Sequence, residues 1–221
     1  MTKKKNTKVI TLAQIKGGCG KTTISAHIIG ALLKEGKTVA AIDADSPQFS
    51  LSDWFDTGYE KENLQLATAV SAADLMKAIE HFDGKVDYIV TDLAPRLADM
   101  TRVGVAVSDL VIIPVNTDLI EIRALRLTLE LMDEAKAKIP GLNYFVMTNK
   151  FQSHNDNHQL MRQGIADQYG CPMLESSLGL RKAYPDAVGA GVTIHDITPK
   201  VAKAVDEMNT LLDEIFSKLE V

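Results

Sequence analysis

The chain has little cysteine, few aromatic side chains and no long apolar run. Its only cysteines, Cys19 and Cys171, form no CxxC pair, which argues against a disulfide framework and against a cysteine-built zinc or iron–sulfur site within one chain. A reducing, cytoplasmic setting is expected. No stretch approaches the roughly 20 consecutive apolar residues of a spanning helix, so a soluble protein with no membrane partner is expected. The opening MTKKKNTKVITLAQI has the lysines of a secretory leader, but its apolar run is only about seven residues and is broken by Thr11 and Gln14. It reads better as a first strand. Positive charge is also short: 24 Lys and Arg against 29 Asp and Glu leave a formal net charge of −5. A chain with that balance is not a basic nucleic-acid coat, and any DNA contact must come from a local patch.

What remains is ordinary globular material, 46% hydrophobic and 24% charged. The length suits one domain, which commonly runs from about 100 to 250 residues, so a single domain over 1–221 is expected. Val9 to Ile15 is a short apolar run that ends in glycines, and Thr22 to Leu33 then shows helical spacing with Gly36 as a stop. TVAAIDAD (38–45) and KVDYIVTD (85–92) are apolar runs closing on acids, as expected of strands buried on both faces of a parallel sheet. LVIIPV (110–115) and YFVMTN (144–149) are two more. Five such strands separated by helical segments predict an α/β fold with a doubly wound, mostly parallel sheet. Ser71-x-x-Asp74 marks a helix start for 71–82, and Glu121 to Lys138 reads as a long amphipathic helix stopped by Pro140 and Gly141. A terminal helix over about 199–220 carries Val201, Val205, Met208, Leu212, Ile215 and Leu219 on one stripe. Its polar face is mainly acidic, which favours docking on the sheet over lying on a membrane.

The sharpest signal is QIKGGCGKTT, residues 14–23. Gly17, Gly18 and Gly20 let successive backbone N–H groups turn toward one concavity, and a helix starting near Lys21 adds its positive end. This predicts a polyphosphate cradle made by Gly17, Gly18, Cys19, Gly20, Lys21, Thr22 and Thr23, with Lys21 on the β and γ phosphates and the Thr22 hydroxyl on Mg2+. The general P-loop pattern asks for glycine where Ile15 stands, so the fit is to the variant KGGxGKTT. Asp43, Asp45 and Asp92 fall at expected strand ends, where all three could converge on one magnesium–phosphate group. SHNDNH (153–158) could be drawn as a metal site through His154, Asp156 and His158, but a polar loop capping the next helix explains it.

KGGxGKTT resembles the deviant Walker A ATPases that include ParA and MinD, and the resemblance runs from Val9 to the last helix. It implies a P-loop NTPase fold, ATP and Mg2+ as ligands, and an ATP-sandwiched homodimer in which Lys16 crosses to the partner's phosphates. That is the logic of an arginine finger, a cation supplied in trans where transition-state charge grows. The same resemblance implies that Asp92 is the Walker B acid near the metal. It also implies that Asp43 belongs to the metal shell, that Asp45 orients the attacking water, and that Asn149 reads the adenine edge. Asp43 and Asp45 lie 22 and 24 residues after Lys21, matching the family's Walker A′ pair. Arg181, Tyr184 and Gly191 match the family's C-terminal segment. Two departures stand out: Ser46 intervenes before Pro47-Gln48, and Leu93-Ala94-Pro95-Arg96 replaces a commoner switch after Asp92.

For ParA-like proteins the resemblance implies non-specific DNA binding in the ATP state, nucleoid association, and hydrolysis stimulated by an adaptor of the ParB type or a cargo adaptor. Arg181, Lys182, Lys200 and Lys203 are the candidate DNA patch, where phosphate contact would be steeply salt-dependent. A MinD-like membrane ATPase, a nucleotide-dependent scaffold with little turnover and an ATP-dependent ligase of the dethiobiotin synthetase type are the alternatives. The last would not be expected to need Lys16. A nitrogenase-type reductase is disfavoured by the lack of cysteine between Asp92 and Asn149.

Overall fold

Strand side chains alternate between faces, so a strand that is apolar at every position must be covered on both sides. The computed structural model, which describes residues 7–59, 61–95, 98–139, 141–197 and 201–219, shows this arrangement. Strands β1 (Lys8–Leu12), β2 (Val39–Ala44), β3 (Leu64–Thr68), β4 (Tyr88–Leu93), β5 (Leu110–Asn116), β6 (Tyr144–Phe151) and β7 (Met173–Gly179) form one sheet in the order β3-β2-β4-β1-β5-β6-β7. Every neighbouring pair is parallel. Helices α1 (Lys21–Lys34), α2 (Ser50–Gly58), α7 (Ala183–Gly189) and α8 (Ala202–Leu219) cover one face; α3 (Ala72–Phe82), α4 (Ala98–Ala106), α5 (Leu119–Lys136) and α6 (Asp156–Tyr169) cover the other. Along β5 the alternation is explicit: Val111, Ile113 and Val115 face the α3–α6 core, and Leu110 and Ile112 face the α1–α8 core.

The parallel α/β fold is as expected, with seven strands where the apolar runs predicted five. The two additional strands, LQLAT and MLESSLG, are the sheet edges, and their half-exposed positions carry Gln65, Glu175 and Ser176 in place of a continuous apolar run. An edge strand needs less hydrophobic cover, so its signal is weaker. Ser71 caps α3 by accepting the Asp74 N–H at 3.1 Å. Helix α5 begins earlier than its periodicity suggested, because the Asp118 carboxylate accepts the N–H groups of Ile120 and Glu121 and fixes the start there. Helix α8 sits on the sheet with Met208, Leu211, Leu212, Ile215 and Leu219 buried; each fully buried aliphatic chain of this size contributes about 1.5–3 kcal/mol.

The segment after α7 is bound to the helix that starts at the glycine loop. His27, fully buried on α1, bonds the Thr23 carbonyl through Nδ1 at 2.7 Å and accepts the Ile194 N–H on Nε2 at 3.0 Å. That arrangement needs a neutral ring, and burial holds its pKa down to about 4. Trp54 stacks on Tyr59 and donates its indole N–H to the Val192 carbonyl. Gly191 has φ +70 and lies so close to α2 that an added Cβ would stand 2.9 Å from the Thr57 carbonyl carbon. Its match to a family segment therefore has a backbone cause.

Gly191→Ala is expected to lower stability by about 2 kcal/mol, since both the left-handed conformation and the α2 backbone resist a methyl group. Urea unfolding followed by far-UV circular dichroism reads the midpoint.

Candidate functional site

Parallel pairing brings the carboxyl ends of β1, β2, β4, β5 and β6 to one edge, and the side chains predicted for a nucleotide site gather there. The loop after β1 leads into α1 through Gly20, which has φ +100 and forms the N-cap without any side-chain hydrogen bond. The first turn of α1 contains no acidic residue. Its N–H groups and positive helix end thus have no competing side chain, the condition for receiving an anion. Gly18 also has positive φ, and a Cβ at Gly20 would collide with Asn149 Nδ2. An adjoining cavity of about 440 Å3 is lined by Gly17, Gly18, Gly20, Lys21, Thr22 and Thr23 on one side, and by Asp45, Asn149 and the turn after β7 elsewhere. Cys19 is buried, with its thiol on the Lys16 carbonyl, so only its backbone can serve a ligand.

Lys21 is buried and curls back, its ammonium donating to the carbonyls of Gln14 at 3.2 Å and Lys16 at 3.4 Å. Thr22 donates its hydroxyl to Asp92 Oδ2 at 2.5 Å. The other Asp92 oxygen is buried with no hydrogen-bond partner. Burial drives the Asp92 carboxyl up to about 7, a rise opposed by the Thr22 hydroxyl and by Lys21 and reinforced by Asp43 and Asp45. A buried, half-paired carboxylate beside a threonine hydroxyl fits a magnesium ion, which takes one or two carboxylates together with hydroxyl, water and phosphate oxygens. Thr22 and Asp92 would hold it.

Asp43 stands beside Asp92 in register on β2 and β4, but its carboxylate is already engaged. One oxygen accepts the Asp45 N–H at 3.1 Å, and the other accepts the Ser52 N–H and hydroxyl at 2.8 and 2.9 Å. Asp43 therefore anchors α2 directly. Asp45 is partly exposed at the cavity wall, with burial raising its pKa against the pull of Lys21. Among the described residues no three His, Cys, Asp or Glu side chains come close enough to hold a metal by themselves. The three aspartates do not form a ready-made cage, and an ion here would take its other oxygens from water or a bound ligand. The same finding applies to His154, Asp156 and His158; His158 instead binds the Thr117 hydroxyl and the Gln152 N–H.

Asn149 at the end of β6 donates to the Cys19 carbonyl at 2.8 Å and accepts the Lys150 N–H at 2.8 Å, so its amide braces the loop. Lys16 makes a 2.7 Å ion pair with Glu121, whose side chain is almost fully buried. Arg181 forms a bidentate pair with Glu207, at 2.7 and 2.6 Å, which Tyr184 joins. Lys182 and Lys203 are exposed; Lys200 and Arg96 lie outside the described residues. The sequence shows Glu121 only as the start of an amphipathic helix and gives Lys150 no role. Lys150 has φ +52 and donates to the Gly18 carbonyl, so it also braces the loop. Nothing local in the sequence marks either residue, because both act through partners far away in the chain.

Because burial raises Asp92 above its unfolded value of 3.8, the nucleotide-free fold holds a proton that the unfolded chain loses, and stability should fall as pH rises from about 4 through about 7. Asp92→Asn removes that cost. It is expected to stabilise the nucleotide-free protein at pH 8, by up to about 4 kcal/mol for a shift of about three units, and far less at pH 4. Urea melts at the two pH values check the order, and added magnesium nucleotide should stabilise the wild type more than the variant.

The family model for the CobQ/CobB/MinD/ParA nucleotide binding domain matches residues 10–194. Maintenance of carboxysome distribution protein A of Halothiobacillus neapolitanus is 29% identical over 208 residues, covering 93% of this chain and 95% of that protein. Protein ParA of Rhizobium radiobacter is 26% identical over 219 residues, covering 96% of this chain and 97% of that protein. Among solved structures, an aspartate-to-alanine variant of Cyanothece McdA in complex with ATP superposes with a TM-score of 0.76 at 17% identity, covering 98% of this chain and 97% of that one, a likeness of fold. With the glycine loop, Asp92 and nearly all of the parallel sheet inside the matched span, the chain belongs to the CobQ/CobB/MinD/ParA nucleotide-binding family.

Proposed function

We propose that the protein is an ATP-dependent dimerising switch that positions cargo, releasing itself by slow, partner-stimulated hydrolysis of ATP to ADP and phosphate. The observation that carries this reading is the uncapped α1 N-terminus with Lys21 and a half-paired Asp92 on its own chain, beside a second lysine, Lys16, that the cradle itself does not require. Lys21 would leave its carbonyl partners for the β and γ phosphates. Magnesium, once bound through Thr22 and Asp92, would neutralise part of the phosphate charge. Asp45, whose carboxylate stands at the cavity wall with no loop to hold, would orient the attacking water. Asp43 would act on the metal shell indirectly, by setting α2 and the Asp45 backbone. Asn149 is free to meet an adenine edge only through what its loop contacts leave over.

Lys16 would supply its charge to the nucleotide of a second copy, where negative charge grows during hydrolysis. The distribution protein of Halothiobacillus neapolitanus and the ParA protein of Rhizobium radiobacter support cargo positioning as the purpose. DNA is the proposed track, met by Lys182, Lys203 and Lys200; Arg181 contributes less, because Glu207 already matches its charge. The MinD-like alternative requires an apolar face for a membrane. The stripe of α8 is spent on the core, and no helix among the described residues is long and apolar enough to cross a bilayer.

Sedimentation with magnesium and a non-hydrolysable ATP analogue tests the switch. Lys21→Ala is expected to lose nucleotide binding, whereas Lys16→Ala should bind nucleotide as a monomer and fail to dimerise; equal behaviour of the two variants would refute the division of labour. Asp45→Ala is expected to accumulate as an ATP-bound dimer with turnover reduced at least about 100-fold, and wild-type turnover would remove it from the mechanism. Co-sedimentation with DNA at rising salt, set beside vesicle flotation, separates a DNA track from a membrane.

A further inference from the structure

Lys16 and Glu121 are 105 positions apart and meet at 2.7 Å. The two partners are unequal. Only 6% of the Glu121 side chain is exposed, against 32% for Lys16, and the second Glu121 oxygen is buried without a partner. A carboxylate in that position depends on its single cation, because losing the cation leaves a buried charge uncompensated. Glu121 also cannot easily move. It sits in the first turn of α5, which Asp118 caps, and two turns further on the same helix Thr128 donates to Gln14 Oε1 and accepts the Ile15 N–H. Helix α5 is thus riveted to the base of the glycine loop at one point and holds the loop's first lysine at another. Lys16 keeps its long, flexible, partly exposed stem, so it is the member of the pair that can leave.

Next to the pair, Leu119 and Ile120 stand 61% and 69% exposed. Two large apolar side chains open to water at the start of a helix are suited to being covered by a facing surface, here a second copy closing over the glycine loop.

We propose that Glu121 is a latch on Lys16: in the nucleotide-free protomer it holds the ammonium against its own chain, and the triphosphate of a facing copy draws it off. The inference rests on the dimer reading above. It makes Glu121 a positioning residue that sets how much nucleotide and how much partner are needed before the trans cation is released. Bound to Glu121, the Lys16 charge is matched within its own chain, so an empty protomer offers its partner no trans cation. A protomer alone with ATP has no facing phosphate to compete with the carboxylate. Release needs both conditions together, and the latched fraction of the population lowers the apparent affinity for dimer formation in proportion.

The test uses the full chain and two readouts. Acetylation of lysines followed by mass spectrometry is run first on the nucleotide-free protein. The Lys16 amine should react more slowly than the exposed Lys182 amine in the wild type, and at least about threefold faster in Glu121→Gln, which keeps the shape but removes the charge. Equal rates for Lys16 and Lys182 in the wild type, a comparison that needs no variant, would overturn the proposal. Sedimentation with magnesium and a non-hydrolysable ATP analogue is run second, with a circular dichroism melt confirming that the variant is folded. Glu121→Gln should dimerise at a protein concentration at least about threefold lower than the wild type. A weaker dimer would mean that Glu121 guides Lys16 into place, and an unchanged midpoint that the pair is only structural; either result overturns the latch. If the wild type dimerises and Lys16→Ala does not, the dimer reading stands whatever Glu121 does. A wild type that stays monomeric with the analogue sinks that reading and the latch with it.

Discussion

An α-helix that begins without a cap must find partners for its first N–H groups, and α1 begins that way in the middle of the carboxyl edge of the sheet. Most other features of the edge follow from leaving that end open. Glycines at 18 and 20 adopt left-handed conformations so that the loop can turn without side chains in the concavity. Asn149 and Lys150 hold loop carbonyls from β6, which keeps an otherwise unsupported turn in shape. Lys21 lies folded on carbonyl oxygens at the loop's base, a weak set of acceptors compared with phosphate. Opposite them, Asp43 and Asp92 lie side by side in register, so the site pairs concentrated positive potential with two buried acids. An arrangement of this kind is poised between states, since a polyphosphate with its metal would satisfy the helix end, Lys21 and Asp92 together.

The fold was legible because parallel strands buried on both faces have no choice but to be apolar throughout, and four internal runs ended in residues that could not continue that pattern. Edge strands β3 and β7 escaped for the same reason, since they carry polar residues where the sheet faces water. The candidate site was legible where chemistry requires consecutive residues: the glycine loop, Lys21 and Thr22 are neighbours in sequence, as residues that would surround one phosphate have to be. It was less legible where the partner comes from elsewhere. Asp43, Asp45 and Asp92 were recognised as strand-end acids, yet spacing alone gave no way to see that Ser52 takes up Asp43 and leaves Asp45 facing the cavity. Glu121 looked like an ordinary first-turn acid of an amphipathic helix. Only the packing of α5 against the loop that follows β1 gives it a cation.

The C-terminal segment shows how one set of residues can be read as surface chemistry in the sequence and as architecture in the structure. Arg181 belongs to the candidate DNA patch, and with Tyr184 and Gly191 it matches a family segment, but Arg181 and Tyr184 converge on Glu207 of α8, and Gly191 presses on α2. His27 and Trp54 tie the same stretch to α1 and α2 through backbone groups. Consequently α8 is joined by packing and hydrogen bonds, through Tyr184 and the segment after α7, to the helix whose N-terminus forms the cradle.

Both lysines of the loop are held by intrachain acceptors, and the difference between those acceptors has consequences. Lys21 faces neutral carbonyls within its own loop, so a phosphate in the cradle displaces them without leaving a charge behind. Lys16 faces a buried carboxylate on a different helix, so its departure strands an anion unless the same event compensates for it. A ligand that binds one protomer can meet the first condition alone. The second needs a gain large enough to offset the unpaired charge left at Glu121, and in the proposed dimer a facing triphosphate together with burial of Leu119 and Ile120 would supply two independent contributions to it. In the proposed dimer, nucleotide capture and cation release would therefore be separable steps with different thresholds, so that binding ATP would not by itself commit the switch.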